Sequence, residues 1–318
     1  MTDKGHKYAD RELDKLARQI VKEYNTAFRG IKRKADEYFK EFEVEDKKMF
    51  AKVDNGKITR DKYLEWRKVE LTQGQKWNDT IKAISKDYAD ITRITADMTS
   101  ERMEYVYANN FNYGTYTIES LGGINTNFTL YNKDTVHELL KDNPQLLPKP
   151  NPKKVIKKAE RWNMQKVNSA LLQGILQGDS IDTLSSRLRR VTNMNINSSI
   201  RNARTMTTRA ENSGRFHSYE RAKSLGIDVK KVWVASVDKR TREAHIYLDG
   251  QEVELDEKFE DSNGNKLDFP ADPSAAPETV YNCRCTMIAV PFGFSKEDFF
   301  DERINTIDYD EWKKQRKK

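Results

Sequence analysis

Between Leu13 and Phe42, apolar residues return every three or four positions: Leu13, Leu16, Ile20, Tyr24, Phe28, Ile31, Ala35, Tyr38 and Phe42. The positions between them are mostly Lys, Arg, Asp and Glu. Only a helix sets such a series on one line, so the chain begins with an amphipathic helix of about eight turns, close to a coiled-coil seam. A helix of this kind has to cover its stripe. Tyr63, Trp66 and Val69, followed by Trp77, Ile81, Ile84, Tyr88, Ile91, Ile94 and Met98, supply a second stripe. Asp54-Asn55-Gly56-Lys57 is a turn signal between the two. Thr59 has the character of an N-cap, although Lys62 stands where a capping box wants an acid. Gly74 is placed to break or kink the second stretch. The expected structure is a helical hairpin over residues 10–110, lying as a pair or leaning on a partner.

Long helices with a thin core account for the composition. Of 318 residues, 34% are charged and 36% hydrophobic, against about 25% and 45–50% in an ordinary domain. The 13 Phe, 14 Tyr and 5 Trp exclude wholesale disorder. There is no apolar run long enough to span a bilayer, and the start, MTDKGHKYADRELDK, lacks the apolar core of a signal peptide. No membrane partner is therefore expected. The two cysteines both fall in Cys283-Arg284-Cys285 and cannot make a disulfide framework, which fits a protein made in a reducing cytosol or packaged from one.

Farther along, Tyr113-Gly114-Thr115-Tyr116 and Leu121-Gly122-Gly123 predict a loop or short hairpin within 112–133. Asp134 is placed to cap a short helix through Leu140. Pro148-Lys149-Pro150-Asn151-Pro152 is the clearest linker in the chain. Helices are then expected over Lys153–Gln177, Asp179–Val191 and Asn197–Leu225, the last ended by Gly226. Strands follow at Val232–Val234, Ile246–Leu248, Glu252–Leu255 and Thr286–Val290, with Asp249-Gly250 as a hairpin-type turn. The fold class is α+β: a long N-terminal helical hairpin, then a helical segment leading into a small C-terminal α+β module. The divisions expected are a helical, partner-binding region 1–147, a Pro-rich linker 148–152, a module of helices and small sheet 153–290, and a charged tail 291–318 whose end, Trp312–Lys318, is expected to fray.

Charge is segregated beneath the modest net +7. Residues 149–190 hold ten basic side chains against three acidic, 200–245 hold eleven against five, and 246–282 reverse this with two against ten. Lys153, Lys154, Lys157, Lys158, Arg161, Arg187, Arg189, Arg190, Arg201 and Arg204 are the candidates for contact with double-stranded DNA, through phosphates and without sequence preference. The same residues also suit a solvated helix face. Few aromatics are interleaved with them, which argues against stacking on single strands.

One constellation carries more chemistry. His245 and the thiols of Cys283 and Cys285 are sound zinc ligands, and Asp238 or Asp249 is available as an oxygen donor. Cys-x-Cys is tighter than the usual metal-ligand spacing, so both sulfurs are not expected to share one tetrahedral ion. The plainer reading is a packed turn with small buried cysteines and no cofactor. Asp261-Ser262-Asn263-Gly264-Asn265 falls short of a calcium loop and reads as a turn. His217, on a helix, reads as a packing or surface residue rather than a base. Glycine-rich phosphate loops, Gly-x-Ser-x-Gly and His-Glu-x-x-His are all missing from the sequence, which leaves most enzyme classes with short signatures unsupported. A metal-dependent hydrolase or nuclease built on the Asp/His/Cys cluster is the enzymatic alternative.

The same constellation resembles the phage Mu F-like minor head proteins, also called phage head morphogenesis proteins. The matching residues run from Arg209 and Glu211 through Gly226 and Trp233 to Asp238, Arg240, Arg242, His245, Asp249 and Gly250. Phe259, Pro270, Asp272 and Asn282-Cys283-Arg284-Cys285 complete the series. The family usually shows Arg-Thr-Glu where this chain has Thr208-Arg209-Ala210-Glu211. The resemblance covers about residues 150–290 and leaves the N-terminal hairpin unmatched by motif. It implies a non-enzymatic virion protein of a tailed bacteriophage. Its partners would be the portal protein, other capsid or scaffold components, and packaged DNA. It would lie inside the capsid near the portal, reach it from the host cytoplasm during assembly, and aid ejection or protect the genome.

Overall fold

The computed structural model describes residues 3–126, 128–300 and 308–316. In chain order it contains α1 (Lys4–Asp54), α2 (Arg60–Thr72), α3 (Gln75–Gly122), α4 (Lys133–Asp142), a 3-10 turn at Pro144–Leu146, α5 (Pro152–Leu176) and α6 (Ile181–Ser224). The smaller elements follow: β1 (Val229–Val234), α7 (Glu243–Leu248), β2 (Glu252–Glu254), β3 (Phe259–Glu260), β4 (Lys266–Leu267), α8 (Pro277–Val280), β5 (Thr286–Pro291), α9 (Lys296–Phe300) and α10 (Tyr309–Gln315). The α+β class and the long helical start hold. Two compact units form, one from Met1–Ala17, Met98–Lys149 and Ile200–Lys318, the other from Arg18–Asp97 and Pro150–Ser199.

The second unit is a helical bundle. Ile20, Tyr24, Phe28, Ile31 and Tyr38 of α1 are buried, as are Trp77, Ile81, Ile84 and Tyr88 of α3. The rings of Tyr38 and Trp77 lie 5.4 Å apart, and Tyr24 Oη meets Thr92 Oγ1 and Ser199 Oγ at 3.0 Å. Trp77 Nε1 donates to Asn168 Oδ1 of α5 at 2.9 Å. The α1 stripe is therefore covered by this chain's own α3, α5 and α6, so it is not a free surface for a partner, as the hairpin reading allows. α1 ends at Asn55-Gly56, where Gly56 has φ +68°. Thr59 caps α2, its side chain accepting from Lys62 N, and Gly74 separates α2 from α3.

Three helical expectations need correction. The loop expected at 112–133 is helix as far as Gly122, because residues 110–119 are buried on every side. A helix without a solvent face shows no 3.6-residue pattern. Glycine here serves close approach: a Cβ on Gly114 would meet Ser218 Oγ at 2.1 Å, and one on Gly214 would meet the Tyr107 carbonyl at 2.5 Å. Second, α6 is one helix, not two. The polar stretch after Val191 stays helical because Thr192 and Asn195 bond back to the Leu188 and Val191 carbonyls. Asn195 also pairs with Asn163 of α5, and Thr192 Oγ1 meets Tyr88 Oη at 2.7 Å. Third, α4 is capped by Asn132, accepting from Thr135 N at 2.8 Å, and not by Asp134.

In the first unit, β2-β1-β5 form an antiparallel sheet, with Val232 opposite both Glu252 and Ile288. Ile246–Leu248 belongs to α7 and is not a strand. Only His245 and Leu248 of this segment are buried, an i,i+3 spacing, while Ile246 and Tyr247 face solvent. Asp249-Gly250 thus joins a helix to a strand. The β3–β4 hairpin turns on Asp261, whose Oδ1 accepts from Asn263 N and Asn265 N at 2.9 Å, the plain turn expected there. The C-terminal stretch is docked and does not fray over 308–316. Tyr309 and Trp312 of α10 are buried against Tyr113 and Tyr116 of α3, and Trp312 Nε1 donates to Glu119 Oε2 at 2.8 Å. Lys317 and Lys318, together with 301–307 of the expected tail, lie outside the described residues.

Candidate metal centre

Helix α6 holds the Asn282–Cys285 turn from below. Asn282 has φ 59°, a left-handed conformation that Asn tolerates, and its N–H donates to Thr205 Oγ1 at 2.8 Å. Thr208 Oγ1 donates to the Cys283 carbonyl at 2.7 Å. The Asn212 side-chain amide donates to the Cys285 carbonyl at 3.2 Å and accepts from Met287 N at 3.0 Å. Thr205, Thr208 and Asn212 are spaced three and four apart, so one face of α6 fixes the backbone of both cysteines and the start of β5.

Short helix α7 brings His245 over this turn. His245 Nδ1 lies 3.6 Å from Cys283 Sγ and 3.5 Å from Cys285 Sγ. The three side chains are 2–3% exposed. Cys285 N–H points at Cys283 Sγ from 3.4 Å. The hydrogen bond between the two thiols holds Cys285 well below the ordinary cysteine range despite burial, with His245 adding to the effect, and it pushes Cys283 up. Trp233 stands edge-on to the imidazole, with ring centroids 5.8 Å apart. His245 Nε2 and Trp233 Nε1 are buried, and among the described residues neither has a hydrogen-bond partner.

The structure corrects two sequence expectations here. Both sulfurs do converge on one point, because the intervening Arg284 leaves the cluster entirely. Asp238 is not in the cluster: its carboxylate accepts from both Arg284 Nη atoms at 2.5 and 2.6 Å. Those bonds, with the Arg240 amide, hold Asp238 far below the usual carboxylate range. Asp249 is engaged elsewhere too, accepting from Ala235 N at 2.8 Å. The hydrolase reading thereby loses its carboxylate, Asp238, to Arg284.

The remaining motif residues brace this frame. Arg209 Nε donates to the Ala271 carbonyl at 3.1 Å, Arg242 donates to the Tyr281 carbonyl, and Gly250 (φ 79°) donates to the Trp233 carbonyl at 2.9 Å. Arg240 is exposed. Glu211 belongs to a network that sequence reasoning missed. Its carboxylate accepts from His6 Nδ1 at 2.9 Å and Thr286 Oγ1 at 2.6 Å, while Arg215 forks onto Asp3 at 2.7 and 3.0 Å. The Glu211/Arg215 spacing on one helix was the one available signal. Nothing near Asp3 and His6 marks them as its partners. His217 packs as expected: Tyr107 Oη meets its Nδ1 at 2.8 Å, and burial, then Arg221, lowers its pKa.

These motifs match a known family. Residues 165–288 match the Phage Mu protein F like protein family. The match covers the second half of α5, α6 and the small sheet as far as β5. The minor head protein GP7 of Bacillus phage SPP1 is 28% identical to it, over 97% of this chain and 96% of that protein. The NAD(+)–arginine ADP-ribosyltransferase EFV of Enterococcus faecalis is 33% identical over 62% of this chain, but the match spans only 40% of that protein. No solved structure matches.

The basic candidates of this chain fall into separate groups. Lys153, Lys154, Lys157, Lys158 and Arg161 are all exposed, and their spacing puts them along one side of α5. Asn151 caps this helix, accepting from Lys153 N and Lys154 N. Among the described residues none of the five has an acidic partner within ion-pair reach. Arg187 pairs with Asp179, Arg189 lies 3.7 Å over the Phe28 ring, and Arg204 donates to Asn282 Oδ1 at 2.7 Å. Arg190 and Arg201 are exposed.

Proposed function

We propose that this chain is a structural minor head protein of a tailed bacteriophage that joins the portal protein during procapsid assembly and meets packaged DNA through α5. The observation that carries this reading is the near-full-length similarity to a minor head protein, which gives the chain a structural role in a phage head and a place in the virion. It extends over the N-terminal helices as well as the family module. On this reading the protein sits inside the capsid near the portal and helps to protect or eject the genome.

The α5 face supports the DNA contact. Five cations on one helical side, without acidic partners among the described residues, can each displace a counterion from a phosphate, which binds duplex DNA without reading its sequence. Portal contact has to use surface other than the α1 stripe, which is buried within the chain. Mixing the purified chain with the portal protein of its own phage and fractionating by size tests the association. Co-elution supports it, and separate elution at concentrations up to those of assembly overturns it.

A further inference from the structure

We propose that His245 Nδ1, Cys283 Sγ and Cys285 Sγ together hold a zinc ion that ties α7 to the turn before β5. The first support is distance. Zinc bound by thiolate at about 2.3 Å and imidazole at about 2.0–2.1 Å in tetrahedral geometry sets the nitrogen–sulfur edge near 3.5–3.6 Å. The two edges here are 3.5 and 3.6 Å. A shared hydrogen bond does not account for both. Nδ1 has one proton or one lone pair and cannot serve two sulfurs equally well.

The second support is the histidine's own burial. The ring is 3% exposed, and among the described residues its Nε2 has no partner. All the polar compensation for burying it has to arise at Nδ1. A weak contact with sulfur gives little, and a coordinate bond gives much. Ligation by Nδ1 also fixes the tautomer, with the proton on Nε2.

The third support is preparation of the sulfurs. Their backbone is fixed by Thr208 and Asn212, and Cys285 N–H already points at Cys283 Sγ, the kind of amide contact that favours a thiolate ligand. The donor set, two sulfurs and one imidazole, selects zinc over magnesium or calcium. No fourth His, Cys, Asp or Glu donor joins the cluster among the described residues. Each thiol that ligates gives up its proton, so binding zinc releases two protons per chain when both begin as thiols. The ion's task is structural: it ties His245 to Cys283, 38 positions apart, in a module whose sheet has three strands.

The test uses the full chain, purified under reducing conditions and loaded with zinc or cobalt(II) alone. The proposal expects about one zinc per chain after dialysis. It also expects the intense visible bands of tetrahedral cobalt with thiolate charge transfer, and protection of both thiols from a thiol reagent by zinc. Cys283→Ser and Cys285→Ser should lose the charge-transfer band in steps, and His245→Ala should lower zinc retention. If those variants fail to fold, the wild-type cobalt spectrum decides alone. Less than about 0.2 zinc per chain, with no thiolate–cobalt band in the folded wild type, overturns the proposal. Neither outcome bears on portal association.

Discussion

His6 and Glu211, 205 positions apart in the sequence, face each other at 2.9 Å with both side chains nearly sealed from solvent. The pair fastens the first turn of α1 to the middle of α6, next to the β5 residue Thr286. Burial alone would lower the His6 pKa. The Glu211 carboxylate, helped by Asp10 and Asp3, more than offsets this and brings it up to about 9.

Stability should therefore depend on pH through His6. In the unfolded chain His6 loses its proton near its ordinary 6.5, and in the folded protein near 9. Its contribution is fully present below pH 6.5 and is lost as pH rises through 9, at most about 3 kcal/mol for a shift of this size. Urea unfolding of wild type and His6→Gln between pH 6 and pH 10 checks this. The wild-type advantage should be largest at pH 6 and shrink steadily above it. An advantage that grows with pH would contradict the pairing.

Two glycines in long helices should respond in opposite directions. Gly214→Ala drives a methyl into the Tyr107 carbonyl, 2.5 Å away, and should destabilise by about 1–3 kcal/mol. Gly30→Ala, with nothing within 4 Å, should stabilise by about 0.5–1 kcal/mol. Thermal melts of the two variants provide the comparison.

Trp312 anchors α10. Removing its ring takes away a core-sized contact of about 3 kcal/mol. That is more than a helix of seven residues can lose and stay docked. Trp312→Ala should make the C-terminal stretch sensitive to limited proteolysis while the rest of the chain stays resistant. Unchanged cleavage would mean that the docking rests on Tyr309 and Arg316.

DNA binding should be steeply salt-dependent. Five phosphate contacts from α5 imply that affinity for duplex DNA drops about 500-fold between 50 and 200 mM salt. Lys157→Ala should reduce the log–log slope by about 0.9, with no change in sequence preference. A flat salt response would remove α5 from the account.

Much of this was legible in the sequence where helices keep one wet face. The α1 stripe from Leu13 to Phe42 and the caps at Thr59 and Gly226 come straight from spacing and turn chemistry. The pattern failed where solvent does not sort the residues. Residues 110–119 are buried all round, so Gly114 reads as a loop signal although it marks close packing against Ser218. Thr192 and Asn195 read as a break because their partners, Tyr88 and Asn163, are distant in sequence. At the cluster, His245, Cys283 and Cys285 could be named from residue type. Their convergence, and the diversion of Asp238 to Arg284, depends on a turn held by α6 that no local spacing encodes.

The central claim is that this chain is a structural part of a phage head. Quantitative mass spectrometry of purified procapsids and virions of its phage, scaled to the portal protein, tests it most directly. The chain should be present in procapsids in fixed proportion to portal. Its absence from both particles, with the protein abundant in the infected cell, would contradict the account.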